Sequence, residues 1–342
     1  MSYLVIFLRE IFKGKRMFVG ELISLGVAIS WTATALFAEV GSKRMGSLPF
    51  NTIRMTMSLA FLVITLWLVM GVPYPRYADG GTWTWLLLSG VVGYVIGDYC
   101  LMQGYIHIGS RFGQLFMTLS APTAAITGRV FLGEQMRPAA IIGMIITLSG
   151  IALSILSKSD DSQQHGIRFK LPARGVFYAT MAGICQGLGL VMSKAGLTHY
   201  DAALSAVGIA DDAVFEGALL QLPASVSVSF AATTIRAYIG LIGFFLALVI
   251  FNKDGTEKLR RAVSDRKAMW CVFASTIFGP FIGVSASLLA TQFTSAGIAQ
   301  TLFALTPILI IAPAAMFFHQ KVTAREVFWA VVSVAGVCLF FV

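Results

Sequence analysis

Hydrophobic residues run along this chain in long stretches that short polar segments separate. An apolar stretch of about 17 to 25 residues is long enough to cross a bilayer as a helix, and the chain contains ten of them. The most polar connection between two stretches, 157–173, ends just after Pro172 and separates five predicted helices from five. We place the helices near residues 20–41, 52–71, 83–105, 112–132, 139–156, 174–197, 231–251, 269–292, 296–318 and 325–342.

The second half of the chain repeats the first. Thr52-Ile-Arg and the apolar run after it recur as Thr234-Ile-Arg and another apolar run. Because each repeat has an odd number of helices, the second copy enters the bilayer from the opposite face. The sequence therefore predicts an all-α integral membrane protein of ten transmembrane helices in two inverted five-helix repeats. Further matches at a nearly constant offset are Gly93/Gly279, Gly97/Gly283, Gln114/Gln300, Phe131/Phe317 and Gly150/Gly336.

The repeats set the predicted domain boundaries. An extra segment near 198–230 has no counterpart in the first repeat, and it carries four carboxylates and no Lys or Arg. Residues 4–12 are too short and too charged for a signal peptide or a span, and Met17 is an alternative start of the protein. The predicted units are an N-terminal extension (1–19), the first repeat (20–156), a polar linker (157–173) and the second repeat (174–342).

Composition agrees with a membrane protein and argues against an enzyme. Of the 342 residues 57% are hydrophobic and 12% charged, and the mean hydropathy is +0.81, which is too apolar for a soluble domain. The sequence has no nucleotide-binding Gly-Lys-Ser/Thr loop, no G-x-S-x-G motif and no His-Glu-x-x-His motif. The four cysteines and four histidines lack the spacing of a metal site. We therefore predict no enzymatic activity, no cofactor and no bound metal.

Short motifs recur near the fourth and fifth predicted helices of each half. The first half contains Leu119-Ser-Ala-Pro, Phe131-Leu-Gly-Glu and Gly150-Ile-Ala-Leu, and the second contains Leu305-Thr-Pro, Phe317-Phe-His-Gln and Gly336-Val-Cys-Leu. These motifs resemble the repeat of the EamA family in the drug/metabolite transporter (DMT) superfamily. The resemblance extends over about residues 20–342 and implies ten helices and metabolite transport. Two departures are Gln320 in place of Glu134 and the acidic segment near 198–230.

The net charge of +9 is carried mostly by loops, which fits contact with lipid headgroups better than binding to nucleic acid. Lys and Arg mark the cytoplasmic loops of membrane proteins. The loop 252–267 is rich in both, so the charge distribution predicts that this loop is cytoplasmic and that both termini are outside. The family resemblance implies the opposite orientation.

Polar side chains inside the predicted spans are the candidate solute contacts, because a charged group in hydrocarbon is costly. Asp98 is the first candidate, and it shares a helix face with Met102 and Tyr105 at i, i+4 and i+7. Its alternative role is to pair with an arginine or with hydroxyls and fix helix packing. The full set of candidates is Trp31, Glu39, Asp98, Tyr99, Gln103, Tyr105, Gln114, Gln186, Lys194, Gln292 and Gln300.

Several charged residues have structural alternatives. Glu39 is close enough to a helix end to reach headgroups, and Lys194 can extend its ammonium group to the interface. We expect Arg54 and Arg236, which open equivalent predicted helices, to be interfacial or pairing residues. Glu134 is expected to cap a helix or to pair with Arg137 or Arg129.

The leading functional hypothesis is a secondary carrier or exporter of small metabolites, such as amino acids or related amphiphiles, that works by alternating access. Its partners are a small solute and the lipid bilayer, with protons as a candidate coupling ion and no nucleic acid. The predicted location is a bacterial cytoplasmic (inner) membrane. One alternative is efflux of lipophilic cations or drugs, for which a membrane carboxylate and aromatic side chains are suitable partners. Another is a membrane enzyme or flippase that acts on lipid headgroups.

Overall fold

A computed structural model describes residues 18–161, 172–209, 213–216, 221–251, 255–311, 313 and 324–339. Its main elements are long helices, with one short antiparallel hairpin. The elements before the hairpin are α1 (Val19–Met45), α2 (Ser47–Met70), α3 (Gly80–Gly90), π1 (Val91–Asp98), α4 (Tyr99–Met117), α5 (Ser120–Leu132), α6 (Pro138–Asp161) and α7 (Ala173–Ala206). The others are β1 (Val214–Glu216), β2 (Gln221–Pro223), α8 (Ala224–Phe251), α9 (Gly255–Ser264), α10 (Arg266–Thr276), π2 (Ile277–Phe281), α11 (Ile282–Phe293), α12 (Ala296–Phe303), α13 (Thr306–Leu309) and α14 (Ala324–Cys338).

Six of the described helical segments are long and apolar enough to cross a membrane, and three shorter ones are also apolar. The helices expose large apolar side chains on the surface of the bundle: Phe131 is 64% exposed and Ile250 is 69% exposed. Water would not stabilise so much apolar surface, so these side chains fit contact with lipid. The six are Val19–Met45, Ser47–Met70, Gly80–Met117, Ala173–Ala206, Ala224–Phe251 and Arg266–Phe293, and the three are Pro138–Leu153, Ala296–Leu309 and Val327–Cys338.

Several helix ends differ from the sequence predictions. The second predicted helix begins at Ser47 and not near 52, and the seventh begins at Ala224 and not near 231. The sixth continues to Ala206, so much of the acidic segment near 198–230 is helical and the hairpin accounts for part of the rest. Helix propensity and hydropathy do not predict these extra helical residues, because contacts with neighbouring helices can stabilise a helix beyond the end of its apolar run. Predictions on 1–17, 162–171, Asp211, Asp212, Phe317, Gln320 and 340–342 lie outside the described residues.

The two halves share irregular backbone at equivalent positions. The π-helical turns π1 and π2 contain Gly93 and Gly279, which the repeat alignment pairs. The fourth predicted helix is interrupted at Thr118 and Leu119, and the ninth at the matching Ala304 and Leu305. Gly109 joins the third and fourth predicted helices with a φ of 78°, a conformation that favours glycine. The fourth and the ninth predicted helices are therefore each divided in two by a turn, at 118–119 and at 304–305.

Helices α6 and α14 meet through a reciprocal contact. Thr147 Oγ1 donates to the Ser333 carbonyl at 3.2 Å, and Ser333 Oγ donates to the Thr147 carbonyl at 3.1 Å. A Cβ on Gly150 would lie 2.7 Å from Ser333 N, and one on Gly336 would lie 2.6 Å from Thr147 Oγ1. Equivalent residues thus contact each other across the pair, as a two-fold axis between the repeats requires.

Contacts at the helix ends define two faces of the bundle. Face A is the end where α1 begins, and there Thr294 Oγ1 donates to Glu21 Oε1 at 2.8 Å. Face B is the end where α1 stops, and there Arg44 Nε donates to Asp265 Oδ2 at 2.8 Å. Both contacts join the first half of the chain to the second.

Candidate solute-binding site

A buried ion pair lies near the middle of the bundle. Arg54 of α2 contacts Asp98 at the end of π1, and both side chains are less than a tenth exposed. Gln186 of α7 donates from Nε2 to Asp98 Oδ1 at 2.8 Å and to the Gly93 carbonyl at 3.2 Å. Asn51 Nδ2 also donates to the Asp98 carbonyl, at 3.4 Å. At a helical rise of 1.5 Å per residue, Asp98 lies about 15 Å from the face B end of its helix, well inside a bilayer.

The second buried arginine has a different environment. Arg236 of α8 is 3% exposed, and its guanidinium carbon lies 4.6 Å from the centre of the Tyr94 ring. A Cβ on Gly93 would lie 2.8 Å from its Nη2, so glycine at this position leaves space for the guanidinium. Of the two predicted roles, interfacial or pairing, the structure excludes the interfacial one, since Arg236 is buried inside the bundle. Because α8 begins seven residues before the predicted boundary, Arg236 lies in its fourth turn.

A cavity of roughly 60 Å³ lies beside the ion pair. Helices of both halves line it, because Gln186 and Val284 belong to the second half. Val284 is the repeat equivalent of Asp98, so one half contributes a carboxylate where the other contributes an apolar side chain. The lining residues are Trp31, Thr34, Arg54, Tyr94, Asp98, Leu101, Met102, Tyr105, Gln114, Met117, Gln186, Gly279, Pro280 and Val284.

Five of the predicted candidates meet in this cavity: Trp31, Asp98, Tyr105, Gln114 and Gln186. The amide of Gln114 bonds the Tyr105 hydroxyl across the break at Gly109. The shared face of Asp98, Met102 and Tyr105 is present, since all three line the cavity.

The other candidates lie elsewhere. Glu39 lies near face B, where its carboxylate accepts from Lys43 Nζ at 2.5 Å and from the backbone N–H of Ser110 at 2.9 Å. Gln103 donates to Ser47 Oγ at 3.0 Å and to the Tyr99 hydroxyl at 3.2 Å.

The two remaining glutamine candidates make contacts of different kinds. Gln292 donates to Ser229 Oγ at 2.8 Å. Gln300 donates from Nε2 to the Gln186 carbonyl at 3.4 Å and accepts from Ser120 Oγ at 3.1 Å.

A polar cluster joins the two halves near face A. Lys194 Nζ lies 2.6 Å from Glu134 Oε1 and donates to the Thr294 carbonyl at 2.7 Å. Glu134 Oε2 also accepts from the backbone N–H of Ala296 at 3.0 Å. Lys194 is therefore tied to protein groups at this end, and its partner Glu134 belongs to the first half.

At face B, Asp265 caps α10 by accepting from the backbone N–H groups of Lys267 and Ala268, each at 3.1 Å. The hydrogen bond from Arg44 and these backbone bonds lower the pKa of the Asp265 carboxyl. Both the Arg44 and Asp265 side chains are partly exposed, so this contact is weaker than the buried pair.

Sequence reasoning missed part of the site. Tyr94 and Thr34 line the cavity. Neither was predicted to contact a solute, because a single tyrosine or threonine is common in a membrane-spanning helix. Arg54 and Arg236 were expected to be interfacial or pairing residues; Arg54 does pair, with Asp98, whereas the interfacial position is wrong for both because their helices begin earlier than predicted. The repeat itself carried the missing signal, because two arginines at equivalent positions in apolar helices need buried partners.

The fold defines an all-α membrane protein built from two repeats around a central cavity that contains a buried ion pair. The EamA-like transporter family matches this chain over residues 18–156 and 212–342. The chain therefore belongs to this family of the DMT superfamily, whose members are membrane transporters. It is also similar to a solved structure described as "Crystal structure of protein", with a TM-score of 0.63, 14% identity and coverage of 95% of this chain and 98% of that one. This likeness supports the fold alone, and a search of curated proteins found no match.

Proposed function

We propose that the protein is a secondary transporter that moves small metabolites, such as amino acids or related amphiphiles, by alternating access. The observation that supports this most is the cavity at mid-depth, which contains a buried ion pair and is lined by both halves of the chain. Ionisable residues inside a bundle are costly and commonly mark a solute or ion pathway. Inverted repeats place such a site on the axis about which the halves move.

Solute entry to the cavity requires the two halves to separate at one face. At face A this movement breaks the Lys194–Glu134 pair and the bond from Thr294 to Glu21. At face B it breaks the Arg44–Asp265 pair. Each face thus has contacts between the halves that close it.

Asp98 is the group that we assign to coupling. Its carboxylate connects Arg54 of the first half to Gln186 of the second, so relative movement of the halves changes its contacts. A carboxylate that loses a cationic partner in a dry site tends to take up a proton. Protonation of Asp98 is therefore the step that we propose for coupling transport to a proton gradient.

The charges argue against the runner-up hypothesis of cation efflux. Asp98 is flanked by Arg54 and Arg236, so a lipophilic cation would meet a site with an excess of positive charge. For an enzyme or flippase that acts on lipid headgroups, no described feature gives comparable support.

Counterflow in proteoliposomes tests the proposal without knowledge of the direction of transport. Purified protein is reconstituted with an unlabelled amino acid inside, and uptake of the same labelled compound is followed for a panel of amino acids and organic acids. We expect uptake that depends on the protein for at least one solute. Gln186→Leu should reduce that uptake at least tenfold, because Gln186 contacts Asp98 in the cavity.

Gln292→Leu is the matched control. It removes the same amide from a span, at a site where the partners are Ser225 and Ser229 and not the cavity. Equal loss in both variants, or no protein-dependent uptake of any panel member, would contradict the proposal. Chemical conversion of a solute or movement of a fluorescent phospholipid between leaflets would instead favour the enzyme or the flippase.

A further inference from the structure

The buried site contains more positive than negative charge. Arg54 and Arg236 are each 3% exposed, and Asp98 is 6% exposed. Arg54 is paired with Asp98. Among the described residues Arg236 makes no ion pair with a carboxylate. The cluster of these three side chains therefore has a formal charge of +1 in a part of the protein that water reaches poorly.

Four buried polar atoms around this cluster have no hydrogen-bond partner among the described residues; three of them can donate, and the fourth, Asn51 Oδ1, is an acceptor. The three are Arg236 Nε, Arg54 Nε and the Tyr94 hydroxyl. Both arginine atoms can only donate a hydrogen bond, and the hydroxyl can donate one as well. Buried donors without partners are rare in folded proteins and need an explanation, such as a role in binding a solute.

These donors are arranged around one side chain. Tyr94 lines the cavity and is 2% exposed, and its ring lies against the Arg236 guanidinium at 4.6 Å. Arg54 lines the same cavity. Arg236 is not among the residues that line the cavity, so contact between an occupant and its guanidinium requires the Tyr94 side chain to move aside.

We propose that the cavity binds the carboxylate of its solute, and that Arg236 and the Tyr94 hydroxyl are the groups that bind it. A carboxylate supplies the missing negative charge and accepts hydrogen bonds from these donors. The inference rests on the proposed function, since it assumes that the cavity is the solute site, and it narrows the solute class to organic anions and amino acids. The apolar part of the solute would contact Trp31, Met102 and Val284, which line the same cavity.

Matched probes that differ in charge test the inference in purified protein. The set is 4-methylpentanoate, leucine, 3-methylbutan-1-ol and 3-methylbutylamine, which share a branched alkyl group and carry an anion, a zwitterion, no charge and a cation. Binding is measured by thermal shift and by isothermal calorimetry in detergent at pH 7. A ligand that binds only the folded state raises the Tm. We expect the two carboxylates to raise it and the amine to leave it unchanged.

Variants then assign the effect to the named groups. Arg236→Gln should weaken 4-methylpentanoate at least tenfold, and Arg236→Lys, which retains the charge, should restore part of the affinity. Tyr94→Phe keeps the ring and removes a hydroxyl that has no partner, so it should fold as well as the native protein while it binds the carboxylate several-fold more weakly. This result would not follow from a purely structural role. Arg260→Gln, at an exposed position on α9, is the control that should change nothing.

The outcomes separate this inference from the proposed function. Carboxylate binding that depends on Arg236 and Tyr94, without counterflow of any solute, would support the inference and contradict transport. Counterflow of a cation or a neutral solute that neither carboxylate inhibits would support transport and overturn the inference. Stabilisation by the amine alone, by none of the four probes, or equally in native and Tyr94→Phe protein would also overturn it.

Discussion

Replacing Asp98 by asparagine should destabilise the protein more than replacing its partner Arg54. Asp98→Asn keeps the size of the side chain and removes the negative charge, so two buried guanidinium groups remain without a carboxylate. Breaking a buried ion pair from one side costs about 3–5 kcal/mol. We expect a loss of unfolding free energy in this range for Asp98→Asn.

The formal charge of the cluster of Arg54, Asp98 and Arg236 predicts which variant loses the most stability. It is +1 in the native protein, +2 in Asp98→Asn and 0 in Arg54→Gln. In Arg54→Gln the carboxylate keeps its bond from Gln186 and has Arg236 nearby. Unit charges about 4 Å apart interact by about 4 kcal/mol at an effective dielectric constant of 20, so the sign of the remaining charge matters. We therefore expect Arg54→Gln to cost about half as much as Asp98→Asn, and the double variant to cost less than the sum of the two.

Reversible unfolding in mixed detergent and SDS micelles measures these differences, with thermal shift as an independent check. Gln292→Leu serves as a control for the loss of a polar group in a span. The reasoning is refuted if Arg54→Gln is the more destabilised variant, or if Asp98→Asn lies within 1 kcal/mol of the native protein. The double variant is also the better test of the pathway role. It should fold and yet show no pH-dependent counterflow, whereas Asp98→Asn alone confuses misfolding with loss of function.

Three further predictions concern the two faces. In a variant without the native cysteines, Gly20→Cys with Thr294→Cys should form a disulfide that holds face A closed. A Cβ on Gly20 would lie 2.9 Å from Thr294 Cβ, so the two segments must move apart by about 1 Å to reach the Cβ–Cβ separation of about 3.8 Å that a disulfide needs. Counterflow should stop on oxidation and return on reduction, and full activity of the oxidised protein would count against rocking. Ser264→Cys in the same background should resist an impermeant thiol reagent in intact cells, as the charge distribution predicts, whereas rapid labelling would place face B outside. The hydrogen bond from Arg44 lowers the pKa of Asp265. The ionised Asp265 carboxylate therefore stabilises the fold above the unfolded pKa of about 3.9, and this stabilisation is lost as pH falls through the lower pKa of the folded state. Asp265→Asn should thus lower the Tm at pH 7, and the difference in Tm from the native protein should disappear in strong acid.

The sequence predicts the class of fold because hydrophobic length and internal repetition are both visible in it. Long apolar runs predict spans without knowledge of their partners, and the match at Thr52 and Thr234 predicts two related halves. The break at Gly109 lies in the predicted connection between the third and fourth helices, 106–111. The break at Leu119 was not predicted, because hydropathy averages over about 20 residues and does not register a single turn. Helix starts at Ser47 and Ala224 were missed for the same reason.

The candidate site was predictable only in part. Asp98 was found because a carboxylate in an apolar run is conspicuous, and Gln186 because its amide needs a partner. Arg236 was assigned to the wrong environment, since its depth depends on where α8 begins. The separation of Gln292 from the cavity depends on which face of its helix packs inward, and spacing alone does not determine that.

Asp98 and Val284 occupy matching places in the two halves, and this mismatch has an energetic consequence. Consider a second conformation in which each half adopts the arrangement that the other half has in this structure. If the two repeats had identical sequences, these two conformations would have the same free energy. Here one half presents a carboxylate to the cavity and the other an isopropyl group. The two conformations therefore differ in free energy, and every 1.4 kcal/mol of that difference changes their ratio tenfold. The residue that we assign to coupling should therefore also contribute to the preference of the solute-free protein for one side of the membrane.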